Sequence, residues 1–213
     1  MVKRKFITKY TSLSGVISSK KNLTHVWFES ALEKDFALLL EYHPTVNRYT
    51  EQPVTIEYMV NDKVRVYTPD FLVHFKDPDQ KPWLCEIKYR DDFSMNFKKY
   101  KAKFKAAVQF CKEQGWEFKL ISENNIRTPL LENLKFLNRY EKEYVDQNCY
   151  DLILNRVNDL GSTTPREVLV SISDANPSIH AKCVYALWYA LRISKVGCDY
   201  SKPLTLETEL WKQ

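Results

Sequence analysis

Thr68-Pro69-Asp70-Phe71-Leu72-Val73 is followed by Glu86-Ile87-Lys88, with fifteen residues between Asp70 and Glu86. Apolar residues flank both stretches, so each is typical of a buried strand with charged residues at its end. Side chains alternate between the faces of a strand, so Glu86 and Lys88 project to one side while Ile87 enters the opposite layer. Asp70, at a bend in the neighbouring strand, can face the same point. The two stretches therefore predict adjacent strands that bring two carboxylates and one ammonium group together.

This arrangement is the PD-(D/E)xK pattern, and its chemistry suits phosphodiester hydrolysis. Two carboxylates hold a hard divalent cation such as Mg²⁺, with Mn²⁺ as a substitute, through oxygen ligands. The cation acts as a Lewis acid on the scissile phosphate and lowers the pKa of a bound water. Lys88 either orients that water or stabilises the charge that develops on the phosphate. The competing interpretation is a β-hairpin with two solvated charged residues, because the pattern alone is loose.

A helix before these strands offers a third carboxylate. Apolar residues recur at helical spacing between Trp27 and Tyr42, and His43-Pro44 ends the pattern. Glu29 and Glu33 are one turn apart on this predicted helix, so they share a face. A carboxylate from the helix would complete the metal site.

The rest of the first two thirds predicts an α/β layer. Residues 1–24 are polar and basic, as an arm would be. Apolar periodicity predicts a long helix at Ser94–Glu113 and strands at Val54–Met59, Val64–Phe75 (interrupted by Pro69), Trp83–Tyr89 and Trp116–Ile121. The order indicates a mixed sheet with helices on its faces. Residues 25–143 are therefore predicted to form a restriction-endonuclease-like catalytic domain, ending in a connector over 124–143 with a helix near Leu130–Tyr140.

Residues 144–213 form a second predicted unit. Helices are predicted at Val145–Leu160, Pro165–Ser173 and Ile179–Lys195. Thr164 is a suitable N-cap, and proline fits the first helical position after it. Asn176-Pro177 makes a turn before the third helix, and alternation from Leu204 to Leu210 predicts a strand after it. This order is typical of a winged helix-turn-helix.

Composition excludes several classes of protein. The chain has 213 residues, 44% hydrophobic and 28% charged, which is typical of a globular protein. Only four glycines occur, and their spacing forms neither a P-loop nor a GxGxxG motif. Five cysteines without a CxxC pair disfavour a zinc ribbon or a disulfide framework and favour a reducing cytoplasm. No apolar stretch is long enough for a membrane span, and no signal peptide is predicted.

The positive charge is concentrated in the first two thirds of the chain. Residues 1–140 carry a net charge of +7, whereas residues 141–213 carry −2. A polyanion such as double-stranded DNA is therefore the partner expected for the first part, and protein docking suits the second part at least as well as DNA binding. Five lysines on the second long helix either contact a DNA backbone or form a solvated face: Lys98, Lys99, Lys101, Lys103 and Lys105.

Several of these segments together resemble the TnsA family of endonucleases. They are Glu29-Ser30-Ala31-Leu32-Glu33, Glu51-Gln52-Pro53, Thr68–Val73 and Glu86-Ile87-Lys88. The resemblance runs from about Thr24 to Trp211 and includes the winged-helix-like unit. It implies the endonuclease subunit of a bacterial cut-and-paste transposon, acting in the cytoplasm. TnsB would recognise the transposon ends and cut the 3′ strands, this subunit would cut the 5′ strands, and TnsC, an ATPase, would be a further partner.

The resemblance also implies roles for individual residues. Glu33 is the helix carboxylate, with Glu29 as its competitor. Asp70 and Glu86 are metal ligands together with the backbone carbonyl of Ile87, and Lys88 is the catalytic lysine. Gln52 orients a phosphate or a carboxylate, or it simply caps a turn. The best-known member has glutamine where this chain has Glu86, and the extra negative charge favours metal occupancy but leaves the number of ions open.

Two other functions compete with this one. The first is a standalone restriction-type or repair nuclease. The second is a catalytically idle nuclease fold that serves as a scaffold for DNA or protein. The presence of Asp70, Glu86 and Lys88 together argues against the idle form.

Overall fold

The computed structural model describes residues 13–141, 144–173 and 177–213, without the side chains of Ser173 and Pro177. The chain divides into two compact units, the first ending at Arg127 and the second beginning at Thr128. Half of the predicted arm, residues 1–12, and Asn176 of the predicted turn lie outside the described residues.

The first unit contains a four-stranded mixed sheet with the strand order β3-β6-β7-β8. Strand β3 pairs antiparallel with β6 and β6 antiparallel with β7, whereas β7 and β8 run parallel. The predicted mixed α/β layer is thus confirmed. The elements are β1 (Gly15–Ser19), β2 (Thr24–Phe28), α1 (Ala31–Tyr42), β3 (Val46–Glu51), β4 (Ile56–Val60), β5 (Lys63–Tyr67), β6 (Phe71–Phe75), β7 (Trp83–Ile87), α2 (Arg90–Gln114), β8 (Glu117–Ile121) and α3 (Glu123–Ile126).

Alternation along β6 and β7 places a helix against each face of this sheet. Phe71 packs against Phe36 of α1, with ring centroids 5.7 Å apart. Leu72 and Leu84 turn to the other face, where they join a buried cluster with Ala107 of α2. Glu86 is two residues from Leu84, so its side chain points to the α2 face. The alternation of the strands thus directs a buried carboxylate toward α2.

Three segments of the first unit differ from the sequence prediction. Residues 15–28 form the antiparallel hairpin β1–β2, so α1 begins at Ala31 rather than at Trp27. Strand β3 was not predicted. The segment Val64–Phe75 splits into β5, which pairs with β4, and β6, which belongs to the mixed sheet. The break falls at Pro69, which has no N–H group to donate to a ladder.

The second unit consists of helices and a short antiparallel sheet of two strands, β9 and β10. Its elements are α4 (Pro129–Leu137), α5 (Gln147–Leu160), α6 (Pro165–Ser173), α7 (His180–Arg192), β9 (Val196–Cys198) and β10 (Leu210–Lys212). Thr164 caps α6, since its hydroxyl accepts a hydrogen bond from the Glu167 N–H at 3.2 Å. Buried residues of α5, α6, α7 and both strands form one core.

Two boundaries of the second unit differ from the sequence prediction. Helix α4 lies in this unit rather than in a connector of the catalytic domain, because Leu137 joins the core of α5 and α7. The strand predicted from Leu204 to Leu210 is wrong over most of its length, since β10 begins only at Leu210. Hydrogen bonds to side chains replace a ladder there: the Leu204 N–H donates to the Asn133 side chain at 2.9 Å, and the Thr205 N–H donates to the Thr208 hydroxyl at 2.8 Å.

Candidate active site

Asp70 is fixed at the start of β6 by hydrogen bonds to both neighbouring strands. Its N–H donates to the Cys85 carbonyl at 3.0 Å, and its carbonyl accepts from the Gln52 N–H at 2.9 Å. The carboxylate atom Oδ2 accepts a short hydrogen bond of 2.6 Å from the Ile87 N–H. The bend predicted at this position thus holds the carboxylate against the end of β7.

Glu86 is the most buried charged residue of the site, with 2% of its side chain exposed. The Tyr67 hydroxyl donates to its Oε2 atom at 2.7 Å. Its Oε1 atom is 2.7 Å from the Lys103 ammonium and 3.3 Å from the Lys88 ammonium. A buried carboxylate needs such partners, because an unpaired buried charge is strongly destabilising. The short distance to Lys88 agrees with the predicted projection of Glu86 and Lys88 to one side.

The ionisation of Lys88 is set by the two carboxylates. Burial alone would lower the pKa of its ammonium, but Glu86 and Asp70 outweigh burial and raise that pKa above its usual value. Lys88 is therefore positively charged at neutral pH, with 28% of its side chain still exposed. A partly exposed, charged lysine beside carboxylates can reach an anion such as a phosphate.

Asp70 and Glu33 are crowded by other negative charge. Burial raises the pKa of the Asp70 carboxyl well above its usual value, and the neighbouring carboxylates of Glu86 and Glu33 raise it further. Burial also raises the pKa of Glu33, although hydrogen bonds from the Glu29 N–H and the Ser30 hydroxyl oppose the change. Such crowding disfavours the charged forms unless a cation compensates.

The helix carboxylate Glu33 is held by the N-terminus of α1. Ser30 is the N-cap, and its hydroxyl accepts a hydrogen bond from the Glu33 N–H at 3.1 Å. In return the Glu33 carboxylate accepts from the Ser30 hydroxyl and from the Glu29 N–H, both at 2.8 Å. This reciprocal arrangement is a variant of the capping box, in which the Glu29 N–H and the Ser30 hydroxyl replace the N–H of the N-cap residue as donors. Glu33 therefore stabilises the start of the helix that places it near Asp70.

Glu29 does not lie on the helix, contrary to the prediction, because Ser30 caps α1 after it. Its carboxylate instead accepts a hydrogen bond of 3.1 Å from the Gln52 side-chain amide. Gln52 has a φ of +44° directly before Pro53, a strained conformation for this position. Through its N–H and its side chain, Gln52 links Asp70 to Glu29. Of the partners predicted for Gln52, the structure thus shows a carboxylate, that of Glu29.

The donor atoms suit a hard divalent cation, although the predicted set of three carboxylates is not assembled. Asp70 and Glu86 provide carboxylate oxygens on adjacent strands, and their crowding is the kind that a cation relieves. Within the described ranges, however, no three His, Cys, Asp or Glu side chains are close enough together to hold a metal ion. Glu33 remains in its capping box. Asp70 therefore fits as a ligand, whereas Glu86 would first have to exchange a contact with Tyr67 or Lys103, and Glu33 a hydrogen bond with Ser30 or Glu29.

The five lysines predicted to contact DNA do not share one environment. Lys98, Lys99, Lys101 and Lys105 are exposed on α2. Lys103 has only 14% of its side chain exposed and is paired with Glu86. The prediction that Lys103 is a solvent-facing DNA contact is therefore wrong. The physical reason is helical spacing, since Lys103 lies three residues after Tyr100 and four before Ala107, on the packed side of the helix.

Two partners of Glu86, Tyr67 and Lys103, lie outside the PD-(D/E)xK pattern and were not predicted as such. Tyr67 ends β5 and donates to Glu86 from a different sheet, so no local pattern connects the two. Burial and the adjacent Glu86 carboxylate raise the pKa of the Tyr67 hydroxyl, which keeps it protonated as a donor. Lys103 had a detectable pattern, because its position on the apolar stripe of α2 separates it from the exposed lysines.

The mixed sheet thus brings Asp70, just before one strand, close to Glu86 and Lys88 at the end of the next strand, as the PD-(D/E)xK pattern predicts. Residues 43–123 match the family described as TnsA-like endonuclease N terminal. Over this stretch the chain is similar to the N-terminal domain of TnsA-like endonucleases, and the resemblance to TnsA is confirmed there. A comparison with curated proteins found no match.

The matched stretch includes Gln52, Asp70, Glu86 and Lys88. It begins after Glu29 and Glu33, which are therefore not part of the match. This similarity supports an endonuclease as the class of protein. Among the residues that the structure describes, no helix combines the length and apolar character needed to cross a membrane.

Proposed function

We propose that this protein is the DNA endonuclease subunit of a heteromeric bacterial transposase. It cuts the 5′ strands at the transposon ends, while a TnsB-type subunit cuts the 3′ strands and a TnsC-type ATPase joins the assembly. Together these cuts free the element for cut-and-paste transposition in the cytoplasm. The observation that carries the proposal is the cluster of Asp70, Glu86 and Lys88 inside the TnsA-like segment.

Each residue of the cluster has a chemical role in this function. A bound Mg²⁺, or Mn²⁺ in its place, supplies Lewis acidity at the scissile phosphate and acidifies a water. Asp70 and Glu86 would hold this ion, with the carbonyl of Ile87 as a further oxygen ligand and Glu33 as a third carboxylate once it is free of its capping box. Lys88 binds the negatively charged phosphate and stabilises the charge that develops during cleavage.

The exposed lysines of α2 support binding of a DNA backbone. Lys98, Lys101 and Lys105 are three and four residues apart, so they project from one side of the helix, and Lys112 continues that row. No described ion pair neutralises the charge of these lysines. The lysine of α2 that does form a described ion pair is Lys103, which faces inward and contacts Glu86. Such a row contacts phosphates without reading sequence. Sequence specificity would then come from the TnsB-type subunit.

The second unit is proposed to be a winged-helix-like module that docks protein. Three helices and a short antiparallel sheet are the elements that such a module needs. Its net negative charge suits a protein partner better than a DNA groove. The TnsB- and TnsC-type subunits are the partners proposed for this surface.

The experiment that tests this function is strand-specific cleavage of transposon-end DNA. The full chain is assembled with its TnsB-type partner and Mg²⁺, and 5′-strand cuts are counted for the wild type and for Asp70→Ala. Asp79→Ala is the matched control, because Asp79 is an exposed acid in the turn between β6 and β7. We expect Asp70→Ala to lose 5′ cleavage and Asp79→Ala to keep it.

Two results would contradict the proposal. Wild-type cleavage by Asp70→Ala in Mg²⁺ would remove Asp70 from the chemistry. Tight, sequence-specific cutting by the isolated chain would instead support a standalone restriction-type nuclease. We expect the isolated chain to bind DNA weakly, in a salt-sensitive manner, and to cut little.

A further inference from the structure

Two ammonium groups meet one carboxylate oxygen in this site. Lys103 lies 2.7 Å from Glu86 Oε1, closer than Lys88 at 3.3 Å. We propose that Lys103 is a positioning residue that holds the Glu86 carboxylate and thereby leaves the Lys88 ammonium available to a substrate phosphate. The inference rests on the proposed nuclease function and adds to it a residue from outside the PD-(D/E)xK motif.

Lys103 is held in place by aromatic rings in addition to the carboxylate. Its ammonium lies 4.4 Å from the ring centroid of Tyr67, 4.6 Å from that of Tyr100 and 5.1 Å from that of Phe104. Rings at these distances stabilise a cation, and more so where water is scarce. The Tyr67 hydroxyl also donates to Glu86. The same side chains thus fix both members of the Lys103–Glu86 pair.

A further contact fixes the ring of Tyr100. Its hydroxyl donates to the Asp92 carboxylate, at 2.9 Å from Oδ2. Asp92 also accepts a hydrogen bond of 2.7 Å from the side chain of Asn96, the residue at which α2 departs from helical geometry. The irregular start of α2 therefore supports the ring that packs on Lys103. A lysine with this many dedicated contacts is a built part of the site.

Loss of Lys103 would change the position of the Lys88 ammonium. Without Lys103, the buried Glu86 carboxylate would have Lys88 as its remaining cationic partner among the contacts described here. The attraction between them would draw the Lys88 ammonium into a closer ion pair, since buried opposite charges interact strongly. Lys88 would then be withdrawn from a phosphate at the exposed side of the site. With Lys103 present, Lys88 keeps the 28% exposure that such contact requires.

The first experiment measures cleavage kinetics in the assembled transposase. Lys103→Met is compared with Lys105→Met, an exposed lysine on the same helix, and with Lys103→Arg, which keeps the charge. We expect Lys103→Met to lower kcat by about tenfold or more with little change in KM for DNA, since it acts on a transition-state contact. Lys105→Met should raise KM and leave kcat unchanged, and Lys103→Arg should recover part of kcat. A loss in Lys103→Met that appears only in KM would overturn the proposal.

The second experiment needs no cleavage and so separates this inference from the proposed function. Hydrogen exchange of the β7 amides in the full chain reports the local opening equilibrium around Glu86. Lys88→Met is introduced into the wild type and into Lys103→Met. We expect it to increase opening at least about threefold more in the Lys103→Met background, because Lys88 is then the closer partner of Glu86. Equal effects in the two backgrounds would refute the inference.

The two experiments separate a failure of the positioning role from a failure of the proposed nuclease function. A wild-type assembly without 5′ cleavage, combined with the expected exchange result, would refute the nuclease function and keep the positioning role in the Glu86 cluster. Normal wild-type cleavage combined with equal exchange effects would refute the positioning role of Lys103 and keep the nuclease function. If Lys103→Met does not fold, Lys103→Gln provides the same loss of charge with a polar side chain.

Discussion

The two acids of the site are expected to respond in opposite ways when each is replaced by its amide. Glu86→Gln removes the negative charge that pairs with two lysines, and it leaves their ammonium groups beside a neutral amide. Asp70→Asn removes a carboxyl group whose ionisation is opposed by its surroundings and that no described ammonium contacts within ion-pair distance, and its remaining oxygen can still accept the Ile87 N–H. Both variants are expected to lose cleavage, but only Glu86→Gln is expected to lose stability.

The magnitudes follow from these contacts. Breaking a buried ion pair by removing one partner costs about 3–5 kcal/mol. The two lysines are 28% and 14% exposed, so water compensates part of the loss, and we expect about 2–3 kcal/mol for Glu86→Gln. Asp70→Asn relieves the repulsion from Glu86 and Glu33 that raises the Asp70 pKa, and we expect it to stabilise by about 0.5–2 kcal/mol, as other changes at strained sites do. In a chain of this size, 1 kcal/mol corresponds to about 2–4 °C in Tm.

The assay is thermal denaturation of the wild type and both amides without divalent cations, with chelator present, followed by circular dichroism. We expect the Tm of Glu86→Gln to fall by about 4–12 °C and that of Asp70→Asn to rise by about 1–8 °C. Asp79→Asn, in an exposed turn, is the control for the loss of one acid. A shift of both amides in the same direction would refute the charge distribution assigned to this site.

Three further outcomes are expected. The stability advantage of Asp70→Asn over the wild type should grow as the pH rises above 3.8, the usual pKa of the carboxyl group. In that range the unfolded wild type loses the Asp70 proton, whereas the folded wild type retains it. Denaturation at a series of pH values measures the difference. Replacing an exposed lysine of α2, such as Lys101, by glutamine should flatten the dependence of log K on log salt by about 0.9 per lost phosphate contact; DNA-binding titrations at several salt concentrations test this. A chain ending at Arg127 should stay soluble and keep DNA binding while losing its protein partners. A chain ending at residue 143 should aggregate, because it exposes Leu137 of α4. Light scattering and partner pull-downs distinguish the two.

Local patterns were sufficient for much of the first unit. Apolar periodicity predicted β7, α2 and β8 to within a few residues, and Gly115 ends α2 in the left-handed conformation that glycine favours. The PD-(D/E)xK pattern predicted which residues meet, because the alternation of a strand is a short-range rule. The hairpin β1–β2 was missed because its polar residues, among them Ser18 and Lys20, suppress the apolar pattern on which such predictions depend.

The sequence by itself determined the backbone of the site: Asp70 at a bend, and Glu86 and Lys88 on one side of the next strand. Only the tertiary structure decided how Glu86 is neutralised, since Tyr67 and Lys103 reach it from a second sheet and from a helix. It also decided that Glu33 is held in a capping box. The physical reason is range. Alternation and capping follow from bonds a few residues apart, whereas the charge balance of a buried carboxylate depends on side chains that only the packing of distant elements brings within 3 Å.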